Sequence, residues 1–150
     1  RSLRIASEDI GLADTRALDV ALTAVKVQER LGSPEGDLAL AQALIYLSCA
    51  PKSNSAPKAY ASAKKAVKIY GSLDVPLKLR NQSSELMKNL GHGKGYRYVH
   101  DEREGYVAGE HYFPDNMASQ RFYKPTNRGL EKNINARLLA LRDLDEKFFD

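Results

Sequence analysis

The segment at residues 91–129 most limits how this chain can fold, because it interrupts a pattern that is otherwise helical. Its roughly forty residues carry six glycines, five tyrosines, two phenylalanines and two prolines, with little helical or alternating periodicity. A compact domain rarely keeps an unstructured loop longer than about 12–15 residues without a functional reason. Because its aromatic side chains supply apolar contacts, we expect this segment to be packed rather than disordered.

The rest of the chain has apolar residues at helical spacing and no convincing pair of strands. Glycines and a proline at the expected helix ends bound several of the segments. Helices are expected over residues 2–10, 14–31, 38–47, 56–70 and 83–90, with a closing helix from residue 130 to residue 148. The pattern predicts one all-α domain over residues 1–150, a helical bundle with the segment 91–129 packed over it.

The stretch 38–47 is apolar on nearly every side and is expected to be the central, buried helix. Leu40, Leu44 and Leu47 are its candidate core or oligomer-contact residues. The stretch is too short to span a membrane. Cys49, at the end of this helix, is expected to be a small buried hydrophobe. A single cysteine cannot form an internal disulfide, which fits a reducing compartment.

Positive charge is concentrated in one part of the chain. The net charge is only +4, yet residues 52–80 carry seven basic residues and one acid. Four of the basic residues lie on one side of the helix predicted at 56–70: Lys58, Lys64, Lys65 and Lys68. These lysines either form an ordinary solvated face or contact phosphates or an acidic partner. No base-reading motif accompanies them, so DNA binding through this face would be independent of sequence.

No residue pattern indicates an active site. Gly93-Lys94 lacks the upstream glycine and the following hydroxyl residue of a phosphate-binding P-loop. His92, His100 and His111 do not follow a metal-binding spacing and are interpreted as solvated surface residues. No nucleophile accompanies His100 and Asp101, so a hydrolase triad is unsupported. The sequence therefore predicts no catalytic, cofactor-binding or metal-binding residue in this chain.

Several longer motifs occur in an order that resembles one known family. The motifs are RIASEDIGLAD at 4–14, ERLGSPEG at 29–36, APKSN at 50–54, VPL at 75–77, LRN at 79–81, LMK at 86–88, GKGYRY at 93–98, HD at 100–101, YFPD at 112–115 and FYKPTNRG at 122–129. With these motifs the chain is similar throughout its length to the C-terminal region of the RarA (MgsA) family of AAA+ ATPases, which is related to the Werner helicase-interacting protein. One departure lies in the last motif, where Asn127 stands in a turn at which the resemblance leads us to expect aspartate.

The resemblance implies a longer parent enzyme with an upstream ATPase module that carries Walker A and Walker B motifs and uses ATP and Mg²⁺. A start at Arg1 rather than Met also suggests that part of a longer protein has been removed. Residues 1–13 would be the end of the ATPase lid. The rest would be a helical oligomerisation domain similar to the clamp-loader collar, and the parent would form a homotetramer.

The resemblance also implies where the parent acts. It would work on DNA ends and stalled forks during replication, recombination and repair, in the cytoplasm and associated with the nucleoid. Single-stranded-DNA-binding protein and the replication machinery would be its partners, and no membrane would be involved. The leading hypothesis is therefore an oligomerisation domain of a DNA-dependent ATPase. The alternatives are a module that binds DNA or an acidic partner through the lysines and, more weakly, a free-standing enzyme.

Overall fold

Helices account for the regular secondary structure in residues 1–149, which the computed structural model describes apart from the side chain of Arg103. No strand occurs in these residues, so the all-α prediction is confirmed. The likeness to a clamp-loader collar stays a prediction. The helices within this range are α1 (Ser2–Arg4), α2 (Arg16–Leu31), α3 (Glu35–Cys49), α4 (Ser55–Tyr70), α5 (Glu85–Asn89) and α6 (Glu131–Phe149).

The opening helix is wider than an ordinary α-helix. After α1 the chain continues as a π-helix over Ile5–Ile10 and a 3-10 turn over Gly11–Ala13. Ala6 and Ile10 are buried there. The helix expected at residues 2–10 is therefore present, but most of it has π geometry, which is rare in proteins.

A glycine and a side-chain contact mark the turn between α2 and α3. Helix α2 ends before Gly32, which has φ 70° and donates its backbone N–H to the carbonyl of Gln28 at 2.9 Å. Helix α3 begins at Glu35. The Ser33 side chain does not accept a hydrogen bond from a backbone N–H in the first turn of this helix. Instead the Ser33 hydroxyl donates to the Asp37 carboxylate at 2.8 Å. The serine therefore contacts the first turn of the helix by a side chain–side chain bond.

The chain forms two compact units, and each unit is assembled from separate stretches of sequence. Unit 1 contains Arg1–Lys64 and Phe122–Arg137, while unit 2 contains Lys65–Arg121 and the stretch from Leu138 onward. The prediction of one domain over residues 1–150 includes Asp150, which lies outside the described residues, and it stays a prediction. The segment 91–129 is likewise divided between the two units.

Small side chains form the core of unit 1. Helices α2 and α3 lie close together at Gly36, because a Cβ at this position would come within 2.8 Å of the Cα of Gln28. The larger side chains of Leu18 and Leu22 on α2 are exposed. The buried residues that pack together are Ala6, Ile10, Ala17, Ala21 and Leu47.

Helix α3 is buried on one side only, so the prediction of a helix buried on nearly every side is wrong for the single chain. Its fully buried residues are Gly36, Ala43 and Leu47. The prediction that Cys49 is buried is also wrong, because this residue is exposed. Composition shows that α3 is apolar, but it does not show how many neighbours one chain supplies to cover it.

In unit 2, polar contacts hold part of the aromatic segment. The Asp145 carboxylate accepts hydrogen bonds from the Tyr106 hydroxyl at 2.8 Å and from the backbone N–H of Gly109 at 3.0 Å. Arg97 forms an ion pair with Glu102 at 2.8 Å. Between these contacts lie short 3-10 turns at Val99–Asp101 and Arg103–Gly105. The segment is therefore held by specific charged residues, whereas Tyr96, Tyr98 and Tyr112 are at least half exposed.

Candidate functional site

The most prominent surface feature of unit 1 is an apolar stripe on helix α3. Leu38 is 65% exposed and Ile45 is 66% exposed. Successive members of the stripe are three or four residues apart, so they share one side of the helix. That side lies opposite the buried residues Gly36 and Ala43. The α3 apolar stripe consists of Leu38, Ala41, Ile45 and Cys49, all of which are exposed.

The three leucines singled out from the sequence differ in their surroundings. Leu47 belongs to the buried core, Leu40 is half-buried, and Leu44 is exposed beside the α3 apolar stripe. Leu47 therefore stabilises the single chain, since burial of a leucine contributes about 1.5–3 kcal/mol. Of the three residues, Leu44 is the best placed to meet another molecule.

The four lysines predicted to form a basic face are all exposed on helix α4. Lys64 is the only one of them with a described ring contact, and its Nζ lies 4.7 Å from the centre of the Tyr60 ring. Within the part of the chain that the structure describes, none of the lysines forms an ion pair. Lys58, Lys64, Lys65 and Lys68 therefore present uncompensated positive charge to solvent.

A buried carboxylate, which the sequence reasoning missed, joins the FYKPTNRG motif to Ser55, the residue that directly follows the APKSN motif. Glu131 is 0% exposed. It accepts hydrogen bonds from the hydroxyls of Ser55 and Tyr123, the latter at 2.7 Å. It also accepts from the backbone N–H of Thr126 at 3.0 Å and from the Thr126 hydroxyl at 2.6 Å. We call Ser55, Tyr123, Thr126 and Glu131 the Glu131 cluster.

Hydrogen bonds determine the charge state of this carboxylate. Desolvation by burial acts to raise the pKa of Glu131. Hydrogen bonds from the hydroxyls of Ser53, Ser55, Thr126 and Tyr123 outweigh it, and together they lower the pKa to about 2. The same environment raises the pKa of Tyr123 to about 12, first through burial and then through its bond to Glu131. Glu131 is thus a charged structural residue without the solvent access that catalysis needs.

Two further residues of the APKSN and FYKPTNRG motifs make close contacts with the backbone of unit 1. Lys52 donates from Nζ to the carbonyls of Leu47 and Ala50, at 2.5 and 2.7 Å, and so satisfies the end of helix α3. Gly129 has φ 52°, and a Cβ there would lie 2.1 Å from the carbonyl oxygen of Ala13. The APKSN and FYKPTNRG motifs are therefore explained by close backbone approaches and by the Glu131 cluster.

The glycine-rich stretch after α5 has at least one backbone amide that is already hydrogen-bonded within the chain. Gly93 donates its backbone N–H to the carbonyl of Leu77 at 2.7 Å, so this amide is already used. His92 Nδ1 lies 3.3 Å from the carbonyl of Asn81, while His100 and His111 are exposed. Among the described residues, no group of three or more His, Cys, Asp or Glu side chains is placed to hold a metal ion.

None of the helices in residues 1–149 is both long enough and apolar enough to cross a membrane.

Comparison with known proteins gives a consistent result over nearly the whole chain. The model of the family described as MgsA AAA+ ATPase C terminal matches residues 1–142. A protein of Coxiella burnetii named Replication-associated recombination protein A is 53% identical over 147 residues, which is 98% of this chain. The protein of the same name from Escherichia coli K12 is 49% identical over 146 residues, or 97% of the chain.

A eukaryotic relative extends the similarity. The ATPase WRNIP1 of Dictyostelium discoideum is 36% identical over 124 residues, or 83% of this chain. The chain spans 33% of the length of the Coxiella and Escherichia relatives and 14% of the length of the Dictyostelium relative. The chain thus corresponds to one part of each of these longer proteins.

Proposed function

Because the chain belongs to the family of MgsA AAA+ ATPase C-terminal domains, we propose that it is the oligomerisation domain of such an ATPase and assembles as a homotetramer. The observation that carries this proposal is the α3 apolar stripe. Monomeric proteins rarely expose extended apolar patches without an interaction to cover them. Interfaces between permanent partners are apolar, like a domain core that has been divided in two.

The stripe is also chemically suited to pack against a second copy. It consists of aliphatic and small side chains, and Ala41 between Leu38 and Ile45 allows a close approach of another helix. Burial of each large aliphatic residue contributes about 1.5–3 kcal/mol. Leu38, Ile45 and the adjacent Leu44 would therefore supply much of the stabilisation of an interface.

Light scattering across a range of protein concentrations tests this proposal. We expect the wild-type chain to have a mass near four times 16.7 kDa. Ile45→Glu should lower that mass, because an unpaired carboxylate buried in an interface costs several kcal/mol. Ile69→Glu is a matched control, since Ile69 is 69% exposed and Ile45 is 66% exposed. The control should assemble like wild type.

Two results would contradict the proposal. One is a monomeric wild-type chain at every concentration. The other is an Ile45→Glu chain that assembles as well as the Ile69→Glu control. Circular dichroism of both variants shows whether helix content is kept, so a loss of assembly can be separated from a loss of folding.

A second candidate function rests on the lysines of α4. Four exposed lysines without acidic partners could contact the phosphates of DNA, and each neutralised phosphate would contribute roughly 0.7–0.9 to the salt dependence of log K. Replacing Lys64, Lys65 and Lys68 by alanine should then reduce the magnitude of the slope of log K against log salt by about 2–3. An unchanged slope would exclude this face as the DNA contact.

The relatives are the basis for a proposal about the parent protein. We propose that the parent protein is an ATP- and Mg²⁺-dependent ATPase that acts on DNA during replication-associated recombination and repair. It would work in the cytoplasm, associated with the nucleoid, with single-stranded-DNA-binding protein among its partners. The names of the bacterial relatives support the part in replication-associated recombination, and the family description supports the ATPase. Nucleotide hydrolysis by the parent, and none by this chain alone, is the expected result.

A further inference from the structure

A second basic region lies in unit 2 and is combined with exposed aromatic rings. Tyr96 is 55% exposed and Tyr98 is 54% exposed. Residues 77–98 include five basic residues and one acid, Glu85, so this stretch has a net charge of +4. The five basic residues are Lys78, Arg80, Lys88, Lys94 and Arg97. Neither the oligomerisation proposal nor the α4 lysines account for this combination.

Part of this region forms a cavity of about 510 Å³. This volume lies within the range of about 300–1,000 Å³ typical of small-ligand sites. The cavity combines one aromatic ring, two cationic side chains and two side-chain amides. We call it the Tyr96 cavity, and its lining includes Lys78, Arg80, Asn81, Gln82, Gly93 and Tyr96.

Backbone contacts fix the walls of the cavity. Gly93 has φ 67°, and its N–H donates to the carbonyl of Leu77 at 2.7 Å. A Cβ at Gly93 would lie 2.3 Å from the amide nitrogen of Gln82. The glycine thus lets the loop approach the Gln82 amide closely. A site with fixed walls loses less conformational entropy when a ligand binds.

The positively charged side chains of this region differ in how firmly they are already paired within the chain. Lys78 forms an ion pair with Glu110, so its charge is compensated. Arg80 lies 3.4 Å from Asp74, but the Asp74 side chain is 96% exposed. Such surface pairs contribute little, at about 0–1 kcal/mol. Arg80 also donates from Nε to the Val75 carbonyl at 2.6 Å, which holds the side chain in place. Among the described residues, its Nη atoms are held only by the weak pair with Asp74 and are the ones left for a phosphate. Lys94 is exposed nearby in the sequence.

We propose that the Tyr96 cavity binds single-stranded nucleic acid, with one base stacked on the Tyr96 ring. The edge of that base would face the amides of Asn81 and Gln82, and Arg80 and Lys94 would contact the flanking phosphates. Aromatic platforms beside positive charge are the usual means of binding single strands without sequence preference. A duplex keeps its bases stacked inside, so it cannot offer one to the ring. This site is independent of the proposed oligomer interface.

Fluorescence anisotropy with a labelled oligo-dT of about 12 nucleotides, within the length that single-strand sites cover, tests the proposal. We expect the chain to bind this probe more tightly than a duplex of the same length. Tyr96→Ala should weaken binding by roughly tenfold or more, the loss expected for one stacked base. Tyr96→Phe keeps the ring and should bind like wild type. Tyr96→Leu keeps most of the bulk without an aromatic face and should bind like Tyr96→Ala.

Tyr60→Ala is the matched control, because Tyr60 is an exposed tyrosine on α4 beside Lys64. It should leave the affinity for oligo-dT unchanged. An oligo-U of the same length distinguishes DNA from RNA, and binding of either single strand supports the proposal. Three results would overturn it: a duplex bound more tightly than both single strands, equal affinities for wild type and Tyr96→Leu, or a loss of binding confined to Tyr60→Ala.

Discussion

Removing the charge of Glu131 should reveal how much the buried carboxylate stabilises unit 1. Glu131→Gln keeps the shape of the side chain and resembles the protonated glutamate. The pKa of Glu131 falls from 4.5 to about 2 on folding. At about 1.4 kcal/mol per pH unit, this difference corresponds to roughly 3 kcal/mol of folding free energy at neutral pH. We therefore expect Glu131→Gln to be less stable than wild type by about 3 kcal/mol at pH 7.

The pH dependence gives a second and independent result. The folded pKa of Glu131 is lower than the unfolded one, so its contribution is fully present above about pH 4.5. It is lost as the pH falls from there through about 2. The difference in stability between wild type and Glu131→Gln should shrink over this interval. Urea unfolding followed by circular dichroism at several pH values measures both effects.

Glu146→Gln is the control for this experiment, because Glu146 is exposed on the same helix, α6. We expect this variant to be within about 0.5 kcal/mol of wild type, as is usual for surface changes. The reasoning is refuted if Glu131→Gln is as stable as the control at pH 7. It is also refuted if the loss caused by Glu131→Gln stays constant down to about pH 2.

Two further predictions concern backbone and hydroxyl contacts. Gly129→Ala should destabilise the chain by about 2 kcal/mol or more in urea unfolding, because its Cβ would meet the carbonyl of Ala13. Gly105→Ala, with a similar φ of 58° and no atom near its Cβ, should cost less, and equal losses would exclude the clash. Tyr106→Phe should cost about 1.5–3 kcal/mol through the lost bond to Asp145. In wild type, absorbance titration should show two tyrosines that ionise near pH 12, Tyr106 and Tyr123. Burial, followed by the bond to Asp145, raises the pKa of Tyr106 to about 12, so Tyr106→Phe should leave one tyrosine in this range.

The sequence predicted the helices well because their ends are set by local chemistry. Gly32 and Gly71 follow the last residues of α2 and α4, and both have positive φ values that glycine adopts freely. Pro51 similarly follows the end of α3. Such signals act within a few residues, so they can be recognised without knowledge of the tertiary structure.

Burial was harder to predict, because it depends on which partners a helix meets. The composition of α3 is apolar all round, yet the single chain covers only the side that contains Gly36, Ala43 and Leu47. The exposed side was therefore mistaken for part of the core. An apolar side of a helix can belong to a core within the chain or to a surface that meets another chain. Both kinds of side have the same amino-acid composition.

Glu131 was missed because a glutamate is seldom buried. Its role becomes visible only when Ser55, Tyr123 and Thr126 meet, and Ser55 is 76 residues away in sequence. The hydroxyl residues at the start of α4 and near the end of the 91–129 segment were a usable signal, since buried hydroxyls need acceptors. The sequence alone did not indicate which acid accepts them.

The Glu131 cluster has a consequence for how the chain can be divided. The first 64 residues of unit 1 are separated in sequence from the rest of that unit by Lys65–Arg121, yet Glu131 is bonded to Ser55 of the first stretch. A protease cut within residues 65–121 would therefore break the covalent link without breaking these hydrogen bonds. The two fragments of unit 1 should stay together in native buffer and separate only in denaturant. A shortened chain that stops before residue 122 would leave the buried hydroxyl of Ser55 without its acceptor.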